Sequence, residues 1–422
     1  MFTTAIVLSI LLVCAALVHC VIVFYFRTMV MLGSQPDLGA HDHGLASVIL
    51  SVRGCDPGLR MTLIQLLSQD YDNFEIHLIV DHRSDRAWQL VHEVKREFDV
   101  NGRLTIHEMT RPLKTCGLKC SALLQGLDNI HPNSKYLVLI DADVVPPATW
   151  LRQLIAPLSD RKIGVVTGNQ WFEPADNSVG SLLRSLRYAG ALVPTAIYSN
   201  PWAGTFAMRM RDVRRARLPK IWRKSIVDDG PIRQALKPLG LQIHFAPALI
   251  MVNRERCTLK FVCEYVARTL TWSKMYEPTF LNTIVHCVAV VGLLILAMAS
   301  FVVAVGLGAW QAALVLAAGL IVSSLLNLAS YFLVRGTVSI SSNLEGRGFT
   351  VARRGRFLKL LFLTPVACLI YGYSCFRAAR NQQICWRQIT YELRGKSEVK
   401  MLRYHPWISD EQASPTAPEV SI

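Results

Sequence analysis

The sequence predicts an α/β domain with a mixed, mainly parallel sheet, joined to membrane helices at both of its ends. Apolar runs of strand length alternate with longer helical patterns from Ala46 onward, the pattern of a parallel sheet wrapped by helices. Long stretches without charge precede and follow that region, and 52% of the 422 residues are hydrophobic against 18% charged, a balance unusual for a soluble enzyme. The length exceeds what one hydrophobic core usually holds, so a full domain and a further part fit within the chain.

Ala5 to Phe26 is apolar except for His19 and closes on Arg27, long enough for a helix to cross a hydrocarbon core of ~30 Å. It reads as an anchor rather than a signal peptide. The run is too long, no charged region precedes it, and no small-residue cleavage pattern follows. Leu281 to Gly308 and Ala312 to Val334 predict a transmembrane hairpin. Leu360 to Phe376 is shorter, holds Pro365 near its start and lies between Lys359 and Arg377. Arg27 after the first span, and Arg335, Arg347, Arg353, Arg354 and Arg356 after the third, put both flanks in the cytosol. A fourth crossing would export the basic stretch around Arg377, Arg380 and Arg387, so the last segment is expected to stay in the membrane interface.

The net charge of +15 is compatible with nucleic acid, anionic lipid or a phosphorylated ligand, and in an anchored chain the last two come first. Eight basic residues crowd Arg209 to Lys224 against Asp212 alone, with Trp222 among them. A solvated or headgroup-facing surface is the plain reading of that stretch; contact with a nucleotide diphosphate is the alternative. Eleven cysteines without a Cys-x-x-Cys pair, three of them in the spans (Cys14, Cys20, Cys287), predict reduced thiols, and Cys116 with Cys120 lacks a second ligand pair for zinc. His41-Asp42-His43 falls in a Gly- and Asp-rich linker and is expected to be solvated.

Within the α/β region the pattern predicts strands at Ala46 to Val52, Phe74 to Val80, Leu104 to His107 and Tyr136 to Ile140. Helices are expected at Pro57 to Ser68, Arg86 to Phe98 and Ser121 to Leu127. Ligands of such folds bind outside the carboxyl ends of the strands. Val80 runs into Asp81-His82-Arg83-Ser84-Asp85, and Ile140 into Asp141-Ala142-Asp143. No Gly-x-Gly-x-x-Gly or Walker pattern is present, which removes support for dinucleotide dehydrogenases and P-loop enzymes. Carboxylates must then manage the phosphate charge.

Asp141 and Asp143 stand two apart at the tip of an apolar strand, so both can point to one side and share a ligand. Mg²⁺ or Mn²⁺ favours a few carboxylate oxygens and keeps positions for water and phosphate, and would neutralise the charge of a departing nucleoside diphosphate. An Asp-x-Asp turn is the plain alternative. Asp228-Asp229 opens an expected helix with Pro231 in its first turn. Capping accounts for one of the two carboxylates; Asp229 otherwise suits a base that removes a proton from an acceptor hydroxyl, with Asp228 as support or cap. Thr258 to Tyr276 mixes apolar and cationic residues and is expected along the membrane surface. There Arg268 and Trp272 share a helical face, where the cation meets a diphosphate and the indole covers an acceptor pocket. An interfacial tryptophan beside a snorkelling arginine explains the spacing equally well.

In their order these pieces resemble the family 2 glycosyltransferases, and more closely their ceramide glucosyltransferase-like branch. Asp81 or Asp85 looks like the first acidic motif, which touches the nucleotide, and Gly117 with Lys119 and Ala122 resembles the Gly-x-Lys segment that follows. Asp141-Ala142-Asp143 matches the metal-binding motif, Gly204 to Arg209 the strand on the donor side, and Asp228-Asp229 the place of the usual Glu-Asp. Arg268-Thr269-Leu270-Thr271-Trp272 is similar to the [Gln/Arg]-x-x-Arg-Trp signature with Thr271 replacing the second basic residue, for which Lys274 is the candidate substitute. Trp386, Arg387 and Tyr391 resemble the tail motif of the ceramide branch.

The resemblance implies a GT-A-type nucleotide-sugar domain and inverting transfer of a hexose. UDP-glucose is the first donor to consider and a sphingoid lipid such as ceramide the first acceptor, at the cytoplasmic face. It implies Asp229 as base, Asp141 and Asp143 as metal ligands, Asp81, Asp85, Lys119 and Asp141 on the donor, and Asp228, Arg268 and Trp272 on the acceptor and diphosphate side. The expected organisation is an anchor (1–26), a cytoplasmic GT-A domain (45–256), an interfacial helix (257–280) and membrane segments (281–376). A basic, then disordered, cytoplasmic tail (377–422) follows. A processive polysaccharide synthase shares the carboxylates but would need more spans. An inactive lipid-binding relative, marked by Thr271, is a further alternative, and a nucleic-acid binder rests on charge alone.

Overall fold

Ala46–Val52 and Tyr136–Ile140 carry no charged side chain, which suits strands covered on both faces. In the computed structural model they pair in parallel at the centre of a seven-stranded sheet. Residues 1–33, 43–341, 354–395 and 397–407 are described. His41 and Asp42, Arg347 and Arg353, and the stretch 409–422 expected to be disordered lie outside them.

In chain order the elements begin with α1 (Phe2–Leu32), β1 (Ala46–Val52), α2 (Leu59–Leu67), β2 (Phe74–Val80), α3 (Arg86–Phe98) and β3 (Leu104–Glu108). Next come α4 (Leu118–Leu127), β4 (Tyr136–Ile140), α5 (Trp150–Ile155), β5 (Ile163–Phe172), α6 (Val179–Ile197) and β6 (Thr205–Arg209). They are followed by α7 (Met210–Arg215), α8 (Leu218–Trp222), α9 (Ile232–Leu236), β7 (Gln242–Asn253) and α10 (Leu259–Tyr276). The chain ends with α11 (Phe280–Gly306), α12 (Trp310–Ser341), α13 (Arg354–Arg380) and the short strands β8 (Gln383–Trp386), β9 (Ile389–Leu393) and β10 (Val399–Arg403). Two compact units result. A sheet unit contains residues 34–170, 198–253 and 381–422, and a helical unit contains 1–33, 171–197 and 254–380.

In the sheet unit the strand order is β3-β2-β1-β4-β6-β5-β7. β3, β2, β1 and β4 run parallel, and β6 is antiparallel to β4 and to β5. The mixed, mainly parallel sheet is the one expected. Val48, Leu50, Ile76, Leu78 and Val138 form its core with Leu63 and Leu66 of α2 and Val91 of α3. The carboxyl ends of β1, β2 and β4 lie on neighbouring strands, so the residues following them share one edge.

The tail departs from expectation. Residues 383–403, expected within a basic tail, instead form an antiparallel three-stranded sheet in the order β10-β9-β8. Arg387 and Gln388, both at positive φ (45° and 63°), make the two-residue turn between β8 and β9, a geometry that follows the twist of paired strands. Neither is glycine, so the turn holds backbone strain that local contacts must offset.

In the helical unit α1, α11 and α12 pack on one another. Ser9 donates to the Val315 carbonyl at 3.0 Å, and Gly319 leaves room for Ser9 where a Cβ would come within 2.6 Å of its side chain. The Glu173 carboxylate, 1% exposed, receives Arg335 of α12 at 2.6 Å and the Trp171 indole at 3.1 Å. Thr258 caps the expected helix α10 by accepting from the Phe261 amide at 3.2 Å. Among the described residues four helices are long and apolar enough to cross a membrane: α1, α11, α12 and the 26 residues of α13 from Gly355. α13 is thus longer than the segment read from sequence, and Pro365 does not end it; its length no longer argues against crossing.

Candidate active site

Lys119 is the centre of the site. Its α4 begins after Gly117, whose amide donates to the Ser225 carbonyl at 2.8 Å. A Cβ on Gly117 would stand 2.0 Å from the Ile226 oxygen, so only glycine lets α4 approach the 225–229 loop this closely. The approach puts Lys119 Nζ 2.5 Å from Asp141 Oδ1 and 2.9 Å from Asp228 Oδ2. One cation therefore joins the loop after β4 to the loop before α9. Burial works against the ammonium, and the Asp141 and Asp228 carboxylates overcome it, holding its pKa well above the usual lysine value.

Asp228 is 2% exposed, and the Trp222 indole donates to its backbone carbonyl at 2.9 Å. Its Oδ2 meets Lys119 as an ion pair but accepts no hydrogen bond of normal geometry. Neither aspartate caps α9, because Pro231 stands at that position without a side-chain cap. The capping explanation for the acidic pair is thereby corrected. Asp229 is less enclosed, and its Oδ2 accepts from the Ala203 amide at 3.4 Å. Burial, and then the neighbouring Asp228 charge, push its pKa up to about 7. The Asp141 amide donates to the Gly204 carbonyl at 3.4 Å, so Asp141 and Asp229 both border the 202–204 turn.

Asp143 is partly exposed and lies 3.5 Å from Gln170 Nε2. No cluster of three or more metal-ligating side chains occurs among the described residues. An all-protein cage is therefore absent from them; carboxylate oxygens such as those of Asp141 and Asp143 are the donor type that Mg²⁺ and Mn²⁺ favour, and Asp141 Oδ1 is engaged by Lys119.

The first acidic motif splits in two. Asp85 caps α3 by accepting from Ala87 at 2.9 Å and takes the Gly54 amide on its other oxygen at 2.6 Å, a structural task. Asp81, 1% exposed, pairs with Arg53 and accepts from the Trp407 amide at 2.8 Å and the Tyr404 hydroxyl at 3.2 Å. Arg53, Tyr404 and Trp407 escaped the sequence reading, and Trp222 was noted only as part of the basic stretch. Trp222 is fully buried rather than part of a solvated face, and Arg209 is bound to Asp212 and to the Leu158 and Asp160 carbonyls. Arg211, Arg214, Arg217, Lys220, Arg223 and Lys224 are exposed, as the plain reading of that stretch had it.

A family model described as Glycosyl transferase family 21 matches residues 8–399. The chain belongs to glycosyltransferase family 21. The motif order had pointed to a family 2 type of glycosyltransferase, a type of fold that family 21 shares. The enzyme is thus the nucleotide-sugar-dependent glycosyltransferase expected, with a GT-A-type sheet domain. No curated protein matches the sequence significantly. Among solved structures, a mannosyltransferase from Pyrobaculum calidifontis in complex with GDP-Man and Mn²⁺ is 14% identical over 85% of this chain and 98% of its own, with a TM-score of 0.45. Glucosyl-3-phosphoglycerate synthase from Mycobacterium tuberculosis, with Mn²⁺ and UDP-glucose, is 14% identical over 56% of this chain and 81% of its own, with a TM-score of 0.34. The family assignment rests on the sequence match and not on these.

Arg268 and Trp272 of this family 21 glycosyltransferase lie on α10, in the helical unit. Arg268 stacks over the Tyr265 ring at 5.5 Å. Thr271 is fully buried and bonds back to the Ala267 carbonyl at 2.8 Å, which accounts for a small residue in place of the usual arginine. Lys274 was the candidate substitute. Its ammonium donates to the Ala378 and Ala379 carbonyls at 3.2 and 2.8 Å, closing the end of α13.

Proposed function

We propose that this glycosyltransferase moves a hexose, with UDP-glucose as the first donor to test, onto a hydroxyl of ceramide or a similar membrane lipid by inverting displacement. The observation that carries the reading is the Lys119 link between Asp141 and Asp228, beside an Asp229 carboxyl whose pKa burial and the Asp228 charge push up to about 7. Asp229 accepts the acceptor's proton; a carboxylate titrating near working pH balances availability against basicity. Asp228 raises the basicity of Asp229 through its charge, and Lys119 keeps that charge in place. Asp141 and Asp143 would hold Mg²⁺ or Mn²⁺, which when bound neutralises the departing diphosphate. Asp81 lies two strands from the Asp141 edge, a separation of roughly 10 Å that suits a nucleoside at one end and a diphosphate at the other. Arg268 and Trp272 are assigned to the acceptor and diphosphate side on resemblance.

The tail supports a reading of the membrane orientation. Residues 383–407 pack inside the sheet unit, so they share its compartment, and the chain from Phe280 to Arg380 crosses an even number of times. On this reading α11 and α12 make that pair, and α13, which packs on α6, α10, α11 and α12, lies in the interface. Charge bias puts the sheet unit in the cytosol. Cys55 and Cys385 are both exposed, and an impermeant maleimide should leave both unlabelled from outside intact cells. Labelling of Cys385 alone would remove this topology.

The decisive assay uses purified enzyme in lipid nanodiscs with UDP-glucose, Mn²⁺ and ceramide. The expected product is a lipid carrying one sugar. Below the Asp229 pKa of about 7 the base is protonated, so kcat/KM should fall tenfold per pH unit on the acid side and level off above it. A polymeric product would favour the processive synthase, and donor binding without turnover on any lipid would favour the inactive relative.

A further inference from the structure

The carboxylate assigned to the nucleoside is already engaged by the end of the described chain. Asp81 is 1% exposed; its Oδ2 takes the Trp407 amide at 2.8 Å and the Arg53 guanidinium, and its Oδ1 takes the Tyr404 hydroxyl at 3.2 Å. Arg53 also donates to the His405 carbonyl at 3.2 and 3.1 Å and stacks over the Trp407 ring at 5.4 Å. Ser84 donates to the Trp407 carbonyl at 3.1 Å. Gly54 completes the seat, since a Cβ there would come within 3.2 Å of the indole.

What precedes this segment is fastened separately. Arg387 grips both oxygens of Asp56 at 3.0 Å, Arg53 Nε bonds the Arg387 carbonyl at 3.0 Å, and the buried Tyr391 hydroxyl accepts from the Leu118 amide at 3.1 Å. Met401 donates to the Lys114 carbonyl at 2.8 Å. These contacts hold β8–β10 on the domain and offset the strained Arg387-Gln388 turn. Tyr404 to Trp407 add no strand pairing, and all four side chains stay half-exposed.

We propose that Tyr404–Trp407 is a strap that occupies the nucleoside end of the donor site and has to leave Asp81 for the donor to bind. The inference rests on the reading of Asp81 as a nucleotide contact. With the strap seated, no base N–H reaches the Asp81 carboxylate. With it released, Arg53 remains to hold the carboxylate in place while its open oxygen accepts from the base. The firmly attached β8–β10 sheet returns the strap to its seat after each product leaves.

The test measures UDP affinity by calorimetry with Mn²⁺ present, with GDP in parallel, in the full-length enzyme, in Trp407→Ala, in Tyr404→Phe and after deletion of residues 404–422. The strap variants should bind more tightly, by roughly three- to ten-fold for the deletion, because an occupied site reduces apparent affinity by the fraction that is open. Hydrogen exchange of the Trp407 amide in the wild-type enzyme should accelerate when UDP and Mn²⁺ are added. Unchanged or weaker binding by all three variants, or a Trp407 amide more protected with UDP, would overturn the strap. Asp81→Ala separates the two levels. If it leaves nucleotide affinity untouched, or if neither nucleotide binds the wild type, the donor reading itself fails and the strap falls with it.

Discussion

Asp229→Asn is expected to lower kcat by about 10²–10⁴-fold, the usual contribution of a positioned general base, while UDP-glucose binding changes little. The substitution keeps the shape of the side chain and its contact with the Ala203 amide but leaves nothing able to accept a proton. The acid limb in the pH profile should disappear along with the rate, since it belongs to that carboxyl. Asp228→Asn ought to behave differently. It removes the charge that raises the Asp229 pKa, so the surviving activity should have its limb shifted to lower pH. Full turnover by Asp229→Asn would remove the base assignment.

The second large effect is expected at Lys119. Lys119→Ala leaves Asp228 buried and without its counter-charge, a loss that typically costs about 3–5 kcal/mol, and frees Asp141 from the loop that Asp228 belongs to. Thermal unfolding of the sheet unit should move down accordingly, and transfer should be lost. Lys119→Met combined with Asp228→Leu replaces the ion pair by apolar groups of similar size, a change that is often neutral or stabilising. The pair should therefore recover much of the melting temperature lost in Lys119→Ala, short of the part owed to Asp141, which also loses Lys119, without recovering activity. If Lys119→Ala melts like the wild type, Lys119 does not hold these two loops together.

The sheet was most legible where burial is complete. β1 and β4 are mostly apolar runs without charge, and β2 keeps Ile76, Leu78, Ile79 and Val80 despite Glu75 and His77; all three were read to the residue, whereas β5 contains Thr167-Gly168-Asn169-Gln170 and passed unread. Its polar stretch is buried because Gly168 lets Leu249 of β7 come close, a pairing between distant segments that local pattern does not carry. The short strands of the tail escaped for the same reason.

Within the candidate site, the two acidic motifs singled out Asp141, Asp143 and Asp229 as residues to propose, but did not separate Asp81 from Asp85. That distinction depends on the Gly54 amide, which turns Asp85 toward the backbone. Trp222 sat in the basic stretch and was grouped with it, although its indole fixes the Asp228 loop; nothing in its neighbours' charges signals a buried ring. Thr271 looked like a defect in a binding signature and is instead a fully covered helix position.

The sheet unit is made from both sides of the membrane helices in sequence: β8–β10 are translated after α13, yet Arg387 and Tyr391 complete the packing around Asp56 and α4. During synthesis the earlier strands must therefore wait, with that surface bare, until the hydrophobic segments have been inserted and the last residues have left the ribosome. A message cut short between α12 and β8 would leave Asp56 and the start of α4 without the Arg387 and Tyr391 contacts that complete their packing.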